Sequence, residues 1–480
     1  MQNASLLLFI VLYLCATVAV GWWASRRVKT TADFVIAGKR LPMFMAACAL
    51  FATWFGSETV MGASSEFAQH GLLGIIEDPF GAALCLFLAG LLVARPLYHL
   101  NLLTFSDFFK IRFGQRSEVV SAVFMVCSYF GWIAAQIVAL SVVLQVVSGL
   151  EREWGVLLCT SVVLLYTYIG GMWSVAITDF VQTIAILVGL AALAVDMVMQ
   201  VGGFEPMVAA APPGFFQFLP DPKPSDMVNW FAAIITIGLG SIPQQDVFQR
   251  VMGAKTERAS VLACYTSSIM YLTVAMLPLI ICYCGKMLYP DLMARDPQML
   301  IPAMVLQHSG LGMQVLFFGA LLSAILSTCS GAMLAPATVV GENLVRPLFP
   351  HMTDATLLKI MRLSLVGVAV VTGGMALFRN NIYELVGESS ALSLVSLFVP
   401  LIAGLYWKRA TATGAIAAMV CGMATWLLAL WLLPGEQPEG AAPLSFWQGV
   451  PPILYGLAAS IAGMVAGSLA RGEWSEATSR

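Results

Sequence analysis

The sequence predicts an all-α integral membrane protein, with about 13 transmembrane helices forming two inverted five-helix repeats plus peripheral helices. Three observations predict it. Only 10% of the residues are charged and 59% are hydrophobic, against about 25% charged in soluble domains. The apolar stretches are continuous runs of about 20 residues, long enough for a helix to cross a bilayer, and not the short alternating segments of a β-barrel. Third, 19 of the 24 lysines and arginines fall in loops on one side of the membrane once the runs are threaded through it.

Hydropathy places spans near 5–25, 42–68, 72–94, 118–148, 154–172, 176–200, 227–249, 258–285, 311–342, 358–378, 382–407, 411–434 and 446–470. An odd number puts the termini on opposite sides. Arg26, Arg27, Lys29, Lys39 and Arg40 follow the first span, and Arg95, Lys110, Arg112 and Arg116 the third. Arg250, Lys255 and Arg258 follow the seventh, Arg346, Lys359 and Arg362 the ninth, Lys408 and Arg409 the eleventh, and Arg471 and Arg480 the last. Only Arg152, Lys223, Lys286, Arg295 and Arg379 fall on the other side. Basic loops stay cytoplasmic, so the expected location is a cell membrane, with the N-terminus outside and the C-terminus inside.

The chain divides accordingly. A peripheral first helix at 5–25 precedes a five-helix repeat at 42–200. An external loop at 201–226, holding Pro206, Pro212, Pro213, Pro220 and Pro222, leads to a second repeat at 227–407. Two peripheral helices and a short cytoplasmic tail occupy 411–480. An odd repeat length inverts one half relative to the other, as in many secondary transporters.

Two spans are interrupted at matching places, the first helix of each half. Thr53, Gly56, Ser57, Glu58 and Thr59 break the second span, and Pro243, with Gln244 and Asp246 after it, breaks the seventh. Proline removes a backbone donor, and a carbonyl freed in lipid needs a partner. A bound cation or a polar solute supplies one, and so does an ordinary packed kink. Within span nine, Ser327 and Thr328 stand beside the Ala324 carbonyl. Oxygen-only ligation suits a hard, weakly held cation such as Na⁺, although serines also serve plain helix packing.

Glu58, Glu77, Asp78, Asp179, Asp246 and Glu388 all fall within or at the edge of spans, with Arg250 the one cation nearby. Ionisable groups at membrane depth are functional-site candidates by default. The carboxylate excess argues for a solute with a positive centre. Enzyme chemistry finds no footing: there is no HExxH, no GxSxG, and the four histidines and ten cysteines form no cluster. Near-balanced charge, 24 basic against 26 acidic residues, gives no nucleic-acid footprint. No protein partner is marked either; the expected partners are a small solute, sodium and the lipid bilayer.

These residues resemble the sodium/solute symporter family. Tyr166 to Ser174 (YTYIGGMWS), followed by Thr178 to Gln182 (TDFVQ), is similar to that family's signature; Ala324 to Thr328 resembles its sodium-binding helix, and Pro243 to Arg250 its second broken helix. The resemblance covers nearly the whole chain and implies the leucine-transporter fold, alternating access and Na⁺-driven uptake. It implies a sodium site of the Ala52, Phe55 and Ala324 carbonyls with the Ser327 and Thr328 hydroxyls. It makes Asp179 and Ser330 candidates for a second sodium site or a release path, although Gly331 stands where a further serine would be.

Ala52 to Trp54 with Trp132 resembles the high-affinity choline transporter branch, whose aromatic faces cage a quaternary ammonium. Two positions depart from that branch: Gln244 replaces a tryptophan and Ala82 a tyrosine. The expected activity is therefore sodium-coupled uptake of a zwitterionic or cationic solute, such as an amino acid, a betaine or a choline-like molecule. The expected solute site is Trp54, Glu58, Asp78, Trp132, Gln244 and Asp246. The alternatives are a symporter for a neutral or anionic solute such as a sugar or carboxylate, or a non-transporting sensor.

Overall fold

A computed structural model of the chain describes residues 2–26, 28, 30–100, 102–433 and 446–470. Arg27, Lys29, Arg471 and Arg480 of the orienting charges, and the tail at 471–480, lie outside the described residues. Everything described is helix, turn or connection, apart from one isolated parallel bridge between Leu41 and Ala254.

In chain order, α1 is Gln2–Ser25, α2 Thr31–Ile36 and α3 Met43–Trp54. A run of helical segments over 58–98 follows, interrupted at Gly71 (φ +71, ψ −157) and Asp78, and then α4, Phe105–Phe113. α5 (Gln115–Ser148) and α6 (Arg152–Val201) end the first half, and α7 (Pro224–Gly240), α8 (Gln245–Gly253) and α9 (Glu257–Val274) begin the second. α10 (Leu311–Val339), α11 (Asp354–Phe378), α12 (Ile382–Ser393), α13 (Ala412–Leu432) and α14 (Pro452–Ala470) follow, with shorter helices between the numbered ones, among them Met276–Leu288 and Val399–Tyr406. Among the described residues, nine helices are long and apolar enough to cross a bilayer, or ten when the bent pair α7–α8 counts as one span. α1 and α3 contribute two shorter apolar helices.

The windows 154–172 and 176–200 appear together as α6, 50 residues long. A straight α-helix of that length would run about 75 Å, over twice a bilayer core. Gly171 prevents this, with φ +56 and ψ −166. Only glycine takes that conformation cheaply, and a Cβ there would lie 2.4 Å from the Phe34 ring.

Burial sorts the helices into an inner and an outer set. α10 is innermost, with 89% of its apolar window buried, whereas α14 buries 28%. The outer faces remain apolar: Ile461, Val465 and Leu469 on α14 and Val420, Leu427 and Trp431 on α13 are exposed, as suits a surface solvated by lipid. α13 and α14 approach closely because small residues line their seam, as with Gly467, whose Cβ would meet the Gly414 Cα at 2.8 Å.

At the end of the bundle carrying most basic residues, a polar cluster ties four elements together. Asn343 Nδ2 donates to Asp107 (2.8 Å) and to Glu118 (2.9 Å), and its Oδ1 accepts from Thr104 at 2.7 Å. Gln245 of α8 joins by accepting from the Phe105 amide (2.8 Å). Nearby, the Leu41 amide donates to the Gly253 carbonyl and the Lys255 amide to the Leu41 carbonyl.

Candidate functional site

α3 stops where its hydrogen-bond ladder fails. The Phe55 amide donates to Phe51, that of Gly56 turns to Trp54 (3.1 Å), and that of Ser57 donates to the Gln136 side chain (3.0 Å). No main-chain donor is left for the Ala52 carbonyl. The Thr328 hydroxyl of α10 donates to it instead, at 3.2 Å. Ala52, Phe55, Ala324, Ser327 and Thr328 are all buried. The structure thus sets the end of α3 against the middle of α10 and offers oxygen donors alone, a set suited to a hard monovalent cation.

Directly behind lies Asp179 of α6. The Ser327 hydroxyl donates to its Oδ1 (2.5 Å), and its Oδ2 faces Arg250 Nη2 at 3.8 Å, both side chains wholly buried. Arg250 also donates from Nε to the Ala49 carbonyl and from Nη1 to the Asp246 carbonyl, each at 3.1 Å. Ser330 does not reach Asp179, because its hydroxyl donates to the Ser327 carbonyl (3.0 Å). At Gly331 a Cβ would stand 2.4 Å from Arg250 Nη2. The guanidinium therefore holds the space that a side chain at 331 would enter.

Beyond the break, a cleft opens between the two broken helices. Trp54, Glu58, Asp78, Trp132 and Gln244 line it, together with Ala82, Ile237, Ser241, Tyr271, Val386, Ser389 and Ser390. Each carboxylate is held by two donors. Glu58 accepts from the Trp132 indole (3.0 Å) and from Gln136 Nε2 (2.7 Å). Asp78 accepts from Thr59 (2.8 Å) and lies 2.7 Å from the Tyr271 hydroxyl, which is also 2.9 Å from the Trp54 carbonyl. Asp246 is not among the lining residues: it sits behind Trp54, taking the Trp54 indole N–H at 2.8 Å and the Tyr129 hydroxyl. Glu388 is not among the lining residues and pairs with Arg379 (2.8 Å) on an exposed surface.

The sequence alone did not single out Tyr129, Gln136 or Tyr271, nor the central place of Arg250. A signal existed for part of this. Tyr129, Trp132 and Gln136 repeat at helical spacing along one face of α5, and polar atoms on such a face inside a membrane mark a lined cavity.

The family model described as the sodium:solute symporter family matches residues 34–422. The chain belongs to that family. This symporter is a transporter and not an enzyme, and spans the membrane several times. It is similar to the high-affinity choline transporter 1 of Drosophila melanogaster, 26% identical over 466 residues, covering 94% of this chain and 74% of the relative. It is also similar to the osmoregulated proline transporter OpuE of Bacillus subtilis, 28% identical, with 90% of each chain covered. Among solved structures, a Na⁺-coupled sialic acid symporter in a substrate-bound outward-open state superposes with a TM-score of 0.80 at 18% identity, over 98% of both chains. At that identity the likeness establishes the leucine-transporter type of fold, and nothing about the solute.

Proposed function

We propose that this symporter couples sodium influx to uptake of a small organic solute carrying a positive nitrogen. One observation supports the reading above the others: the cavity between the two broken helices is lined by two carboxylates and by no basic side chain. Relatives that transport choline or proline are consistent with such a solute. Trp54 and Trp132 add aromatic walls, each ring contributing about 0.5–2 kcal/mol toward a cation. Asp246 acts from behind by fixing Trp54.

Sodium binds between the Ala52 and Phe55 carbonyls and the Ala324, Ser327 and Thr328 oxygens. These belong to opposite halves, 42–200 and 227–407, which we take as inverted repeats that rock against one another. A cation held by both halves binds most tightly when they close on it, so it biases the conformational equilibrium. Asp179, one hydrogen bond beyond Ser327, receives sodium on its way to the cytoplasm, with Ser330 on the same path. The basic end of the bundle is the cytoplasmic one in this scheme, with the N-terminus outside.

Uptake into reconstituted vesicles tests the reading. A sodium gradient should drive accumulation of at least one organic amine or betaine, and replacing Na⁺ with K⁺ should abolish it. Uptake indifferent to sodium, or confined to sugars and dicarboxylates, would overturn it.

A further inference from the structure

We propose that Gln244 selects the solute, and that this solute is an amine bearing N–H together with a neutral hydrogen-bonding group such as a hydroxyl or carboxamide. The assignment rests on the positive-nitrogen reading above and narrows it.

Gln244 stands at the bend between α7 and α8, lines the cavity, and is only 3% exposed. Among the described residues its carboxamide makes no hydrogen bond. The amide faces the cavity with its donors and acceptor open, so a molecule in the cavity is the natural source of partners. The other polar groups on that side are already engaged. Ser241 and Ser390 bond each other at 2.9 Å, and Ser389 donates to the Leu385 carbonyl at 3.0 Å. Among these side chains Gln244 is the one that makes no hydrogen bond at all.

What it faces decides the chemistry. A carboxamide both donates and accepts, so it matches a hydroxyl or another amide. A solute carboxylate would find no cationic partner, since Arg250 is fully buried and committed to the Ala49 and Asp246 carbonyls and to Asp179. A quaternary ammonium would bring no N–H to Glu58 and Asp78, whose oxygens keep lone pairs beyond the donors they hold.

The test pairs ligands that differ in one group, with thermal shift of the purified protein in NaCl as the readout. The probes are 4-amino-1-butanol, butylamine and (4-hydroxybutyl)trimethylammonium, applied to the wild type and to Gln244→Met. The wild type should bind the amino alcohol tenfold or more tighter than butylamine, and tighter than the quaternary analogue. Gln244→Met should bind the two amines equally while keeping its sodium-induced shift, which shows that it folds. A preference that survives in Gln244→Met, or a quaternary analogue that binds best, would overturn the assignment. If no amine of any kind produces a sodium-dependent shift in the wild type, the positive-nitrogen reading falls, and this assignment with it.

Discussion

Thr328 and Ala52, 276 positions apart in the chain, are joined by a hydrogen bond of 3.2 Å that closes α10 onto the broken end of α3. The carbonyl receiving it has lost its helical donor, and the hydroxyl giving it keeps lone pairs free. A cation inserted between them would engage both.

Removing the hydroxyls is therefore expected to weaken sodium. Ser327→Ala combined with Thr328→Val should raise the Na⁺ concentration for half-maximal uptake tenfold or more. Two charge-assisted contacts at about 1.5 kcal/mol each exceed the 1.4 kcal/mol that makes a decade. Flux measured against Na⁺ concentration in vesicles checks this, and unchanged sodium dependence would remove the assignment.

Glu58→Gln should weaken the solute far more than sodium. It keeps the side-chain shape while removing the charge that faces the cavity, and one of its new amide hydrogens must point at the Trp132 or Gln136 donor. Solute and sodium titrations on the same preparation separate the two affinities.

Gly56 sits where the proposed sodium and solute sites meet. An added Cβ would lie 2.6 Å from Glu58 Oε2 and 2.8 Å from both Gln136 Oε1 and Thr328 Oγ1. Gly56→Ala is expected to weaken sodium and solute together, each at least tenfold. Gly374→Ala, where a Cβ meets nothing within 4 Å, is the control and should transport normally.

Breaking the pair of Asp179 with Arg250 should unfold before it merely slows. Asp179→Asn leaves a buried guanidinium short of a counter-charge, at about 3 kcal/mol or more. Thermal unfolding in detergent should show the loss, and the double variant Asp179→Asn with Arg250→Met should recover much of it.

Asn343 holds three partners at the basic end of the bundle. Asn343→Ala should favour opening there, so a reporter cysteine at 255 would label faster. In the otherwise unaltered protein, added Na⁺ should slow that labelling, though only partly: moving an equilibrium from 1:99 to 99:1 takes about 5.5 kcal/mol of differential affinity. Labelling that rises with Na⁺ would count against the rocking scheme.

Much of this was legible in the sequence because the bilayer is an intolerant solvent. Long apolar runs announce helices, and Gly56 and Pro243 announce the breaks, since each disrupts a ladder that lipid cannot repair. The cavity carboxylates Glu58 and Asp78 were legible for the same reason. Their second donors were not. Tyr271 and Thr59 reach Asp78 from separate helices, and which faces meet depends on packing that no local window contains. Arg250 was the hardest: its position suggested a helix end near water, and tertiary folding carried it to the centre, with no exposed surface.

The close approach of Arg250 to Gly331 bears on how such a protein can evolve. A hydroxyl at 331 would collide with the guanidinium 2.4 Å from its Cβ, so Gly331→Ser is a deleterious step while the arginine stays. Removing the arginine first strands Asp179. The two positions are epistatic, and a lineage moving between these states has to cross a fitness valley or change both at once.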